Sequence, residues 1–286
     1  APFVILISAK ADNYPSKDPD FQSGFFLGGM RQAIMPQLVD IAHQIVILTG
    51  AGVSVGSGLP TYRGPGGLWE TAEIARIVEA RFLPGSLPDL WKLYSERRRV
   101  ALAASPNPAH FAIAKLQDAR PDAVTLLTQN VDGLHQRAGS PQVTELHGSA
   151  FRTRCTNLNC GLPPFADTQG YDTVPKCPQC GSSLRPDVVL FGETLPEAAL
   201  RQSQTALDHC ELFYAAGTSG MVWPAAAFVQ IASQAGAYTV LVNLEAGDGA
   251  AEFDKVVLGR AEEVLPGILR GGAKLPGFPS RVPSMP

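Results

Sequence analysis

An open, mostly parallel α/β sheet is the fold class this sequence predicts, and three observations predict it. Short apolar or β-branched runs recur along the chain, at Ile45–Leu48, Ala123–Leu127, Val143–Leu146, Val188–Phe191, Leu212–Ala216 and Tyr238–Asn243. Helical patterns fall between many of them, at Ala109–Ala119, Pro196–His209 and Pro224–Ala235. The first run breaks straight into a turn rich in glycine and hydroxyls. Strand and helix in alternation mark a sheet whose crossovers are helical. The 286 residues, 45% apolar and 17% charged, suit one large or two modest globular domains with a substantial core.

Residues 1–35 carry a Pro/Asp/Ser patch at 12–20 and read as an irregular N-terminal arm, with a short helix before Ile45. After Ile45–Leu48, Gly50, Gly52, Gly56 and Gly58 allow positive φ and close approach of the backbone to a ligand. Exposed N–H groups at the mouth of a helix suit a pyrophosphate, so a nucleotide is the first expectation. The loop departs from the dehydrogenase fingerprint: its third glycine is misplaced, and Glu70 and Glu73 follow no strand pattern. The stretch Thr61–Gly67 adds Arg63, a cation able to reach a phosphate or carboxylate. A tight connection without a ligand is the competing reading of the glycines alone.

Two segments interrupt the alternation, a helical one at about 70–104 and a cysteine-bearing one at 151–186. Cys155-x4-Cys160 and Cys177-x2-Cys180, sixteen residues apart, have the spacing of a zinc ribbon. Four thiolates close the tetrahedron and leave no position for water, so the metal is expected to hold structure. Neighbouring Gly, Pro, Thr and Asn build no core and need such a staple. Cys210 stands apart and reads as an inert core residue. This cysteine usage fits a reducing compartment, mitochondrial or cytoplasmic with the nucleus also open. A formal charge of −3 argues against a nucleic-acid partner. No run approaches the roughly 20 apolar residues that span a bilayer, and the start lacks the basic flank of a secretory signal. Residues 271–286 read as a Gly/Pro-rich tail.

The run Ala123–Leu127 delivers Thr128-Gln129-Asn130-Val131-Asp132-Gly133-Leu134-His135, polar groups where α/β sheets bind ligands. The run Val143–Leu146 delivers His147-Gly148-Ser149. A neutral imidazole at a strand end beside a glycine suits general-base work near pH 7. On these residues alone a structural histidine and ordinary turn formers remain open.

GAGVSVGSGLPTYRG, TQNVDGLHQRAG, ELHGS, the two cysteine pairs, RPDVVLFGE and AAGTSGMVWPAA occur in this order over about residues 40–270. In this the chain resembles the sirtuins, NAD-dependent protein deacylases. The resemblance implies a Rossmann-like domain over 36–150 and 187–270, with the helical insertion at about 70–104 and a zinc module over 151–186. NAD and an acyl-lysine peptide would meet in the cleft between them, in a chain expected to be a monomer. His147 resembles the family's general base, and Gln129, Asn130 and Asp132 the residues around the nicotinamide ribose. Gly50, Ala51, Gly52, Ser54, Gly58, Thr61, Tyr62, Arg63 and Trp69 match the phosphate and cofactor-loop positions. Gly217, Thr218, Ser219, Asn243, Leu244, Glu245 and Ala261 match the adenosine side. Val188, Val189, Phe191, Gly192 and Glu193 resemble the segment that pairs with substrate backbone. The family chemistry expels nicotinamide by attack of the acyl oxygen on the anomeric carbon. Free lysine and O-acyl-ADP-ribose result, and no hydride moves, in keeping with the missing dehydrogenase acid.

In LWKLYSERRRV, Tyr94 and Arg97 stand three residues apart, on one helix face. The pair resembles the signature of the desuccinylase, demalonylase and deglutarylase branch. A buried acyl carboxylate calls for a guanidinium fork and a phenol. Arg98 is also within helical reach of Tyr94, and Arg97–Arg99 beside Glu96 also reads as a solvated face. A plain deacetylase, a mono-ADP-ribosyltransferase and a non-enzymatic NAD-sensing module are the rival functions.

Overall fold

The computed structural model describes residues 35–61, 72–218 and 227–270. The expected arm and tail, together with Tyr62, Arg63, Trp69 and Ser219, lie outside the described residues. Helix α1 (Met35–Ile41) leads into β1 (Ile45–Thr49), buried at every residue, and a short 3-10 helix over Ala51–Ser57 follows. The insert supplies α2 (Ala72–Ile77) and α3 (Leu87–Ala103). Helix α4 (Pro108–Ala119), β2 (Val124–Thr128), α5 (Leu134–Arg137) and β3 (Thr144–Glu145) return the chain to the main sheet. Strands β4 (Gly148–Cys155), β5 (Phe165–Ala166) and β6 (Leu184–Val188) form a second sheet. The last described elements are α6 (Glu197–Asp208), β7 (Leu212–Ala216), α7 (Phe228–Gln234), β8 (Tyr238–Asn243), β9 (Lys255–Leu258) and α8 (Ala261–Ile268).

The main sheet runs β3-β2-β1-β7-β8-β9 with every pairing parallel, the α/β fold expected. Successive β1 side chains enter opposite layers, because side chains alternate across a strand. Ile45 and Ile47 pack with Ile113 of α4 and Leu265 of α8, whereas Val46 and Leu48 pack with Leu207 of α6 and Phe228 of α7. Both faces being covered explains why β1 is apolar without alternation. The chain leaves β1 for β2 and β3 on one side, and β7 to β9 fill the other. In register, Thr49 stands between Thr128 and Ala216, so Gly50, Gln129 and Gly217 leave the sheet side by side. Strand order reverses here, where open α/β sheets hold ligands.

Two expected strands differ. Val143–Leu146 contracts to Thr144–Glu145, because the chain turns at Leu146 and His147 to enter β4. The run Val188–Phe191 begins where β6 ends. β6 pairs antiparallel with β4 across a bulge that accommodates Pro186. Beyond it the backbone bonds outward, Val189 N–H to His147 O at 3.0 Å and Phe191 N–H to Val78 O at 2.9 Å. The run is apolar because Val188 and Leu190 pack on Leu90 and Tyr94 of α3, while Val189 and Phe191 pack against the main-sheet core.

Candidate active site

The glycines of the β1 turn serve chiefly to bring two loops together. Gly50 N–H donates to Ala216 O at 3.0 Å and Gly52 N–H to Gly217 O at 2.8 Å. A Cβ on Gly52 would lie 2.7 Å from Gly217 Cα, and one on Gly50 would lie 2.6 Å from Gly217 O. Gly217 itself has φ +59°. This corrects the expectation drawn from composition: among Gly50, Gly52, Gly56 and Gly58, only Gly58 takes a positive φ, at 84°. Two of the N–H groups expected to face a phosphate are tied to the β7 loop. Asn107, which caps α4 through Oδ1, also donates from Nδ2 to Val53 O at 2.8 Å and so pins the 3-10 turn.

Around this turn the structure gathers the candidate polar groups. Gln129 Nε2 donates to Thr218 Oγ1 at 3.0 Å, and Asn243 Nδ2 to Thr218 O at 3.2 Å. Asn130 Nδ2 donates to Gly50 O at 3.0 Å, and Ser54 Oγ to Asp132 Oδ2 at 2.7 Å. Asp132 Oδ1 accepts the Leu134 N–H at 3.0 Å. Burial raises the Asp132 carboxyl above its ordinary range, against the pull of these two donors. His147 Nδ1 stands 3.0 Å from Gln129 O, a contact that places the proton on Nδ1. Burial lowers the imidazole to about 4, against the opposing hydrogen bond, so it is neutral at pH 7.

Sequence reasoning missed the support beneath these groups. Thr49 Oγ1 lies 2.9 Å from His135 Nε2 and donates to Thr128 Oγ1 at 2.8 Å, which accepts the Asn130 N–H at 3.1 Å. Hydroxyls at the ends of β1 and β2 were the available signal. Ala51 and Gly52 are half-buried in the turn, Gly58 is exposed and Thr61 half-buried. Leu244 and Glu245 are exposed beyond Asn243, while Ala261 is buried in the core with Val53.

Among the candidate site residues Gln129, Asn130, Asp132 and His147, two polar atoms are buried with no hydrogen-bond partner among the described residues: Asn130 Oδ1 and His147 Nε2. Both are acceptors, and buried acceptors ordinarily find a donor. A nicotinamide riboside offers an amide N–H and ribose hydroxyls, so the residues present fit NAD.

In the segment that follows β6, Glu193 is fully engaged. Its carboxylate accepts Arg185 Nη1 at 2.6 Å, Arg185 Nη2 at 3.1 Å and the Leu190 N–H at 2.8 Å. It braces a turn in which Glu193 N–H donates to Leu190 O at 3.0 Å and Gly192 has φ 87°. On α3 the three consecutive arginines diverge. Arg99 is exposed and pairs with Glu96, and Arg98 is 1% exposed. Arg97 is half-buried as a residue, but its guanidinium nitrogens are buried, and the group lies 5.0 Å from the centroid of the buried Tyr94 ring. The solvated-face reading therefore applies to Arg99 and not to Arg97.

All five cysteines are free thiols. The sulfurs of Cys155, Cys160, Cys177 and Cys180 lie within 4.8 Å of one another, with Cys155–Cys180 at 3.6 Å and Cys160–Cys177 at 3.5 Å. Zinc–sulfur bonds of about 2.3 Å give tetrahedral edges of roughly 3.8 Å. The four cysteines thus suit one structural zinc ion. Each knuckle turns at a glycine after its second cysteine, Gly161 and Gly181, both with φ 73°.

The profile of the Sir2 family matches residues 50–224. The chain belongs to the Sir2 family. It is 43% identical over 229 residues to NAD-dependent protein deacylase 2 of Pyrobaculum aerophilum, covering 80% of this chain and 91% of that protein. A solved Sir2 homolog–NAD complex superposes with a TM-score of 0.76 at 35% identity, covering 83% of this chain and 92% of the other. A Sir2–p53 peptide–NAD+ complex does so with a TM-score of 0.70 at 31% identity, covering 80% and 93%. NAD is the co-substrate of Sir2 proteins, and this Sir2 chain places its candidate cleft at the switch point of the same fold.

Proposed function

We propose that this Sir2 protein is an NAD-dependent protein-lysine deacylase, and that its acyl pocket favours chains ending in a carboxylate, such as malonyl, succinyl and glutaryl. The deacylase reading is carried by the pair of partnerless acceptors, Asn130 Oδ1 and His147 Nε2, at the mouth of the switch point. Asn130 would take the nicotinamide amide. His147, neutral with Nδ1–H directed at Gln129 O, would accept a ribose hydroxyl proton at Nε2. The relatives' names and the peptide and NAD bound by the Sir2 neighbours support the same reading.

The acidic preference is supported by Arg97 lying over Tyr94, its Cζ 5.0 Å from the ring centroid. A guanidinium and a phenol so placed suit a carboxylate. An acetyl group offers that pair no carboxylate.

Steady-state rates on one peptide bearing acetyl-, malonyl-, succinyl- or glutaryl-lysine in turn test both levels. Acidic chains should be removed faster, and Arg97→Met should weaken desuccinylation while sparing deacetylation. Equal loss of both would remove the pocket assignment. Labelled ADP-ribose remaining on protein, in place of a free O-acyl ester, would favour mono-ADP-ribosyl transfer.

A further inference from the structure

Helix α3 is anchored at a point remote from the reacting groups. Arg98 extends into the small sheet and meets an acceptor in every direction its five N–H groups can point. Nε donates to Ala150 O at 2.6 Å. Nη1 donates to Asp167 Oδ2 at 3.1 Å and Gln169 O at 2.6 Å. Nη2 donates to Arg152 O at 3.1 Å and Thr153 Oγ1 at 2.9 Å. Asp167 is itself held by Thr153 Oγ1 at 2.6 Å, Tyr171 OH at 3.2 Å and the Gln169 N–H at 3.0 Å.

Two further α3 side chains reach the same module. Trp91 Nε1 donates to Leu184 O at 2.8 Å, and its ring packs with Cys155, Cys160 and Cys177. Ser95 Oγ accepts the Tyr171 N–H at 2.8 Å. Positions 91, 95 and 98 share one helix face. Tyr94 adjoins that face and packs on Val131 of the cofactor motif and on Val188 and Leu190 of the substrate segment.

A buried ion pair contributes little net stability compared with an apolar side chain of similar volume. What five directed hydrogen bonds add is orientation. We propose that Arg98 is a positioning residue for acyl recognition: clamped in the cysteine-bearing sheet, it fixes the rotation and height of α3, and so the placement of Tyr94 and Arg97. The zinc module thereby helps set which acyl groups the cleft accepts. This rests on the reading of Tyr94 and Arg97 as the acyl pocket.

Arg98→Lys keeps the charge beside Asp167 but offers three donors on a flexible stem, and Thr153→Val removes one acceptor while conserving shape. Both variants are first checked for native circular dichroism and bound zinc. The expected result is a fall of roughly tenfold or more in kcat/KM for succinyl-lysine, carried by KM, with acetyl-lysine changed less than about twofold. KM for NAD stays constant. Parallel loss of both activities, or an unchanged ratio in both variants, overturns the proposal, since a role in stability alone moves both together. A second readout is independent of the acyl preference: the fluorine resonance of Tyr94 in protein labelled with 3-fluorotyrosine, assigned through Tyr94→Phe. It should shift in both variants, and an unmoved resonance overturns the positioning role. A wild type without acidic preference counts against the proposed function and leaves this readout standing.

Discussion

His147 Nδ1 and the carbonyl oxygen of Gln129 are 3.0 Å apart, and this contact settles which nitrogen of the ring is left to act. With Nδ1 carrying the proton, Nε2 keeps its lone pair, shielded from water and without a partner among the described residues. The pH profile should report it. Burial lowers the imidazole from 6.5 to about 4, so the acidic limb of kcat/KM for deacylation should lie well below pH 6. His147→Tyr should abolish deacylation. An acidic limb at pH 6.5 or above would mean a solvated ring in the free enzyme.

The same sign governs stability in acid. Burial holds His110 and His147 at about 4 and His135 at about 3, each below the ordinary histidine value. Between those values and pH 6.5 the unfolded chain binds more protons, so stability is full above pH 6.5 and falls as pH drops. Each group contributes about 1.4 kcal/mol per pH unit within that window. The raised Asp132 carboxyl opposes them as one group against three. Urea midpoints measured from pH 7 to 4.5 should fall steadily, and a flat profile would contradict neutral burial of these rings.

Gly217 should tolerate no side chain. Its φ is +59°, and an added Cβ would collide with the backbone of Gly52 and Val53. Backbone cannot yield as a flexible side chain does, so Gly217→Ala should cost about 1–3 kcal/mol and lower the melting temperature by several degrees. KM for NAD should rise more than KM for peptide, because the displaced turn carries Ser54. Gly58→Ala, with open space around its Cβ, is the milder control.

Physical reasons decide which features could be read from residues alone. β1 was evident because all five of its residues are buried, leaving an unbroken apolar run. The cysteine pairs were evident because metal geometry dictates their spacing. By contrast, Gly52 and Gly217 need each other, and nothing local in either loop announces a partner so far along the chain. The strand β4 contains Arg152 and Arg154, whose charges mask its pattern until Asp187 and Glu193 are found beside them. Arg97 and Arg98 are adjacent in sequence but about 100° apart around the helix. Only the surroundings of α3 tell that one lies against Tyr94 and the other in the cysteine module.

Removing zinc should be felt at Trp91. Its ring packs on three of the four cysteines, and it is 1% exposed. Stripping the metal with a chelator after mercurial release should lower the melting temperature and shift tryptophan emission to the red. Trp91→Phe should remove that shift, since Trp91 packs on the cysteines. Unchanged emission and melting would mean that the cysteines hold the knuckles without an ion.

Glu193 offers the sharpest separation between touching a substrate and preparing its seat. Three donors occupy its carboxylate, two from Arg185, whose side chain is 3% exposed, and one from Leu190 N–H. Arg185 also donates to Val188 O at 2.7 Å, so one guanidinium links the start of the Val188–Glu193 segment to its end. Glu193→Gln keeps an acceptor for Leu190 but removes the charge that compensates Arg185. Losing a charge-assisted bond of about 1.5–3 kcal/mol should loosen the turn and raise peptide KM roughly tenfold. On the proposed reading of this segment as the peptide's partner, KM for NAD should hold, and the effect should be of similar size for every acyl group. A variant that altered acyl preference without changing peptide KM would place Glu193 at the acyl chain itself.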